Sequence, residues 1–154
     1  MIRALLAAAL LVPALCCADV GINIYGLSWH LDADKAHAQG VDNWFNPGLG
    51  VRYRVPGEQF DYFLDAGAYR DSGRNSAVFA GGAVHWRATQ SARLGLALVM
   101  FNSKTYNDGS TFVAPLPIAA WDFGPAQLNV AYLPKVSKIN DVNTLGFWLT
   151  YWLR

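Results

Sequence analysis

Three residues in this chain have side chains suited to moving an acyl group: His30, Asp71 and Ser72. An imidazole can take a proton from a hydroxyl near neutral pH. A hydroxyl can attack an ester or donate a hydrogen bond to it, and a carboxylate can orient or charge-stabilise the imidazole. His30 ends a strand-like run in which Gly26, Ser28 and His30 alternate with Tyr25, Leu27 and Trp29. The small and polar set would face inward, which aims His30 at the mouth of whatever the strands enclose. Asp71-Ser72 opens a polar loop expected at the same end of the strands. Solvated loop groups are the alternative for all three, since loops are rich in Asp and Ser. Asp32, Asp34 and His37 lie near His30, but their spacing enforces no closed ligand geometry, so neither a metal nor a cofactor is expected. The chain has no phosphate-binding loop, dinucleotide fingerprint or Gly-x-Ser-x-Gly elbow.

The elements that must position these residues begin after a leader. Met1-Ile2-Arg3 carries one positive charge, Ala4 to Leu15 is apolar, and Cys16-Cys17-Ala18 supplies small residues at a cleavage junction. Residues 1–18 therefore read as a signal peptide and 19–154 as one domain. Both cysteines leave with the leader, so disulfides and thiolate chemistry are not expected. Loss of Arg3 leaves 11 basic residues against 11 acidic ones, which gives no steering toward nucleic acid. Hydrophobic residues make up 53% of the chain and charged ones 15%, yet no long apolar segment follows the leader. Apolar content dispersed through short aromatic-rich runs is the trace of a transmembrane barrel, in which alternate residues meet lipid.

Eight such runs are expected near residues 20–31, 48–56, 59–70, 76–88, 92–102, 111–121, 126–134 and 142–153. Their connectors alternate between long or polar (after the first, third, fifth and seventh) and tight, as in outer-membrane barrels with short periplasmic turns. The fold class is thus all-β, an eight-stranded antiparallel transmembrane barrel. Few strands show charge on alternate residues: Arg52 and Arg54 in the second, Asp61 and Asp65 in the third. The lumen should then be partly apolar, and Gly81, Ala83, Gly95 and Ala97 would leave room in it for an acyl chain. The six tryptophans fall near strand ends and are expected to form interfacial girdles. Pro117 and Pro134 interrupt the sixth and seventh strands, where a closed ladder needs donors.

Six segments, spread in order over the barrel, resemble the PagP-type lipid A palmitoyltransferases of bacterial outer membranes. They are Ser28-Trp29-His30, Ala68-Tyr69-Arg70-Asp71-Ser72, Arg93-Leu94-Gly95-Leu96, Pro115-Leu116-Pro117, Phe123-Gly124-Pro125 and Ala131-Tyr132-Leu133-Pro134. The resemblance implies catalysis by His30, Asp71 and Ser72 at the outer leaflet. The reaction implied moves a palmitoyl chain from the sn-1 position of a phospholipid donor to a hydroxyacyl chain of lipid A, by a monomer in the outer membrane. It implies lateral lipid access beside Pro117 and Pro134, and places Ala83 where the family has a glycine at the floor of its acyl-measuring pocket. The family's amphipathic helix before the first strand has no counterpart here, where Val20 begins the strand. Two rival readings are a non-catalytic structural or adhesive barrel, which predicts a lumen filled by polar side chains, and a lipid A deacylase.

Overall fold

Period-two alternation runs through nearly the whole chain, and the backbone follows it. The computed structural model describes residues 18–137 and 139–153; the leader expected over residues 1–18 lies outside them except for Ala18. The strands are β1 (Asp19–His30), β2 (Phe45–Val55), β3 (Phe60–Arg70), β4 (Ser76–Arg87), β5 (Ala92–Asn102), β6 (Phe112–Phe123), β7 (Ala126–Leu133) and β8 (Thr144–Leu153). All neighbours are antiparallel, and β1 pairs with β8 to close the barrel. Every boundary falls within three residues of its expected place; the largest difference is β2, which takes in Phe45, Asn46 and Pro47. The first long connector also holds an unforeseen helix, α1 (Ala33–Ala38), capped by Asp32 accepting from the Lys35 amide at 3.1 Å.

Side chains sort by the barrel wall. Leu94, Leu96, Leu98 and Met100 of β5 are each at least half exposed on the outside, while Ala97, Val99 and Phe101 are buried inside. An apolar belt of that extent is stable only against lipid. Trp29 and Trp44 are exposed at the long-loop end, Trp86 and Trp121 at the short-turn end. The girdle expectation does not extend to Trp148 and Trp152: Trp148 lies on Tyr25, with ring centroids 6.0 Å apart, and Trp152 is buried against Phe63. Both sit on the inward face of β8, where the aromatic body fills lumen space.

A bulge corrects one further expectation. The β1 register shifts between Tyr25 and Leu27 against both neighbours; against β8, where Tyr25 pairs with Trp148 and Leu27 with Phe147, Gly26 is an extra residue, while against β2 the extra residue falls in β2. Asn23 and Tyr25 below it face inward together with Ser28 and His30 above it. Without the bulge, inward Asn23 and Tyr25 would force Ser28 and His30 outward, because a one-residue slip exchanges the faces.

The lumen has two halves. Toward the short turns a ring of polar side chains crosses the barrel. Arg52 grips both oxygens of Asp65 at 2.8 Å and donates to Asn129 at 2.8 Å and Gln127 at 3.0 Å. Asn129 donates to Thr150, Thr150 to Asn23, and Asn23 back to Asp65, so the ring closes through five strands. Burial of this guanidinium is tolerable because four acceptors surround it. Below the ring, Arg87 and Arg93 meet Asp61, Arg93 also pairs with Asp122, and Arg54 pairs with Asp19. Alternating charge marks only β2 and β3 in the sequence, whereas the lower lumen also draws polar or charged side chains from the other six strands. Toward the long loops the lumen is apolar.

Candidate active site at the long-loop rim

The polar ring forms the floor of an interior cavity of about 120 Å³. Arg52 and Asp65 lie at that floor with Ala83 and Ala97, which pair across β4 and β5. Tyr25, Phe79, Phe101, Ile118 and Trp148 form the apolar walls, and Ser28 and Ser72 the mouth. Gly81 and Gly95 also face inward but do not line this cavity. A Cβ at Gly81 would stand 3.1 Å from Val99 Cγ2, and one at Gly95 would stand 2.6 Å from His85 Cδ2, so neighbours already take that space.

His30 and Ser72 meet at the mouth. His30 Nε2 lies 3.0 Å from Ser72 Oγ, with the two residues 8% and 4% exposed. β1 delivers His30 through its bulge, and pairing with Thr144 of β8 fixes the strand end. The β3–β4 loop delivers Ser72: the Asp71 amide donates to Asn75 O at 2.8 Å, and Arg74 takes a positive φ to turn the chain. Asn43 ties the first loop to this one, its amide donating to Ser72 O and its side chain to Asp71 O. Ser28 donates to Asn43 O at 3.2 Å and stands 3.4 Å from Ser72 Oγ. A buried nitrogen within reach of a hydroxyl is the geometry of general-base activation.

Asp71 belongs to the same cluster but serves another partner. It is fully buried, accepts from the Asn75 amide at 2.9 Å and from the Ser103 hydroxyl in a short hydrogen bond. No hydrogen bond among the described residues joins it to His30; its observed partners make it an anchor between the two loops. Tyr106, from the β5–β6 loop, packs half-buried beside Asp71 and Ser72 and also lines the cavity. Burial and the Asp71 carboxylate push its phenol up to about 12, which keeps the O–H intact as a donor. Ser103 and Tyr106 had escaped the sequence reading, because a loop carries no periodicity that says which side chains fold back. Asp32 and His37 are occupied otherwise, in the helix cap and in a 2.9 Å contact with Asp42.

The wall beside this site is open between β6 and β7. β5 pairs with β6 from Trp121 up to Phe112, but β7 pairs with β6 only from Phe123 to Ile118. Pro115 and Pro117 keep the β5 ladder intact only if their nitrogens point to β7, where no partner stands. A crevice lined by Leu116, Leu133 and Pro134 occupies this place. β1 and β2 stay joined to the rim, through Leu27↔Phe45 and the Ser28 amide on Trp44 O.

Closed topology and an apolar outer belt define a small transmembrane β-barrel, with a polar cluster at the rim of an apolar upper lumen. No protein-family model and no curated protein matches the chain. Among solved structures, a barrel from "De novo design of transmembrane beta-barrels" is similar at 12% identity and a TM-score of 0.56, covering 89% of this chain and 96% of that one. Neisserial surface protein A is similar at 11% identity and 0.43, covering 88% and 95%. Ail, the attachment invasion locus protein of Yersinia pestis, is similar at 12% and 0.39, covering 88% and 97%. At 12% identity, the designed barrel speaks to the fold alone.

Proposed function

We propose that this barrel is an acyltransferase of the bacterial outer membrane, moving a palmitoyl or similar chain from the sn-1 position of a phospholipid to a hydroxyacyl chain of lipid A. The observation that carries this reading is the buried His30 Nε2–Ser72 Oγ pair, 3.0 Å apart at the mouth of an apolar cavity. The long-loop rim then faces the outer leaflet, and the barrel acts as a monomer. His30 takes the proton of the acceptor hydroxyl as its oxygen bonds to the acyl carbonyl carbon. The sn-1 ester C–O bond then breaks, and the lysophospholipid oxygen leaves with the proton held on His30. Ser72 has two possible roles: nucleophile, with the same proton traffic run twice through an acyl-serine, or hydrogen-bond donor. An acylated Ser72 peptide after rapid quenching marks the first role.

A second reading, a non-catalytic structural or adhesive barrel, draws support from the polar ring that fills the lower lumen. A deacylase would use the same base with water as acceptor. Lipid A mass spectra from cells with and without the protein separate all three: one added chain supports the transferase, one lost chain the deacylase, and an unchanged profile the non-catalytic barrel.

A further inference from the structure

Two cavities share one wall. The interior cavity and the lateral β6–β7 crevice share Tyr69, Phe101, Leu133 and Tyr106 as a common wall. An acyl chain that enters through the crevice and settles inside must carry its ester past that wall. Two of the four residues bring hydroxyls. Tyr69 is packed in a ring cluster with Tyr25 and Phe79, at 5.7 and 6.1 Å between centroids. Tyr106 is the one beside Ser72.

The loop that carries Tyr106 is tied down on every side. Ser103 holds the Asp71 carboxylate and also accepts from the Thr105 amide at 3.1 Å. Thr105 Oγ1 accepts from the Asn75 side chain at 3.0 Å, and Gly73 sits so close that a Cβ there would stand 2.7 Å from Thr105 Cγ2. On the far side the Asn107 amide donates to Ile139 O at 3.2 Å. Such tethering suits a group whose position matters to chemistry. Acyl transfer also needs a donor for the carbonyl oxygen, which gains negative charge as the carbonyl carbon is attacked. The Ser72 hydroxyl is engaged with His30 Nε2, and the Ser28 hydroxyl with Asn43 O.

The geometry points to Tyr106 as a further catalytic residue, donating a hydrogen bond to the ester carbonyl oxygen of the acyl donor at the junction of crevice and cavity. This rests on the acyl-transfer reading above. The phenol keeps its proton throughout; the bonds made and broken are those of the transfer itself, and the charge returns from the carbonyl oxygen when the leaving group departs.

The test is steady-state kinetics of the full-length barrel in mixed micelles, with a phospholipid labelled in its sn-1 palmitoyl chain and lipid A as acceptor. Tyr106→Phe keeps the ring and therefore the wall. Loss of one such donor should lower kcat roughly 100-fold and leave KM within about twofold of wild type. A merely structural tyrosine would shift KM or the heat-unfolding midpoint instead. A kcat within a few-fold of wild type, or a loss confined to KM, overturns the assignment of Tyr106 alone. An inactive wild-type barrel overturns the proposed function, and this assignment with it.

Discussion

The Asp71 carboxylate closes on the Ser103 hydroxyl and leaves the His30 ring to Ser72. Two outer loops are thereby joined through a buried charge, and the loop bearing Tyr106 is set over the site. A hydrogen bond to a charged group contributes about 1.5–3 kcal/mol. Asp71→Ala should therefore lower stability by about 2 kcal/mol in urea unfolding from detergent micelles. His30→Ala, which breaks no such clamp, should unfold within about 1 kcal/mol of wild type. Equal losses in the two variants would contradict the anchoring role.

The polar ring makes a second demand. Arg52 is 1% exposed with four hydrogen bonds to Asp65, Gln127 and Asn129, and its charge lies 4.8 Å from the Phe63 ring centre. Arg52→Leu strands the Asp65 carboxylate, which should cost about 3–5 kcal/mol. Adding Asp65→Leu should recover a large part of that loss, because the pair rather than either charge is what burial tolerates. Unfolding midpoints of the single and double variants read this directly.

Donors missing from one strand make the wall open. Of the three amides at positions 113, 115 and 117 that would face β7, prolines remove two. Pro117→Val restores one and should let the β6–β7 ladder climb past Ile118. Acyl transfer from phospholipid should slow, with a higher KM for the donor, while the unfolding midpoint stays or rises. A variant with unchanged donor KM would show that lipid does not enter there.

Ala83 bounds the cavity at its floor beside Ala97. Ala83→Met should shorten the transferred chain and Ala83→Gly should lengthen it by about one methylene, since a close-packed floor has no slack. The mass of the modified lipid A gives the chain length in steps of CH2. The same chain length in all three proteins would place the limit elsewhere.

Much of this architecture is legible in the sequence because alternation and turn residues are local signals. Strand ends, alternating loop lengths and the shared rim of His30 and Ser72 all follow from them. Gly26 is different: a bulge leaves no compositional mark, so Tyr25 reads as lipid-facing when it lines the cavity. The polar ring is hidden for another reason. Asn23, Asn129 and Thr150 come singly from three strands and form a unit only once β1 meets β8. Ser103 and Tyr106 lie in a loop whose path depends on contacts with Asp71 and Asn75, distant in sequence.

The central claim is that His30 acts on a hydroxyl to transfer an acyl chain, and lipid A mass spectra from cells expressing the wild-type barrel or His30→Ala test it most directly. The account predicts one added acyl chain with the wild type and, with the folded variant, a loss of about 100-fold or more in the modified species. Lipid A unmodified by the wild type, or modified equally by His30→Ala, would contradict it.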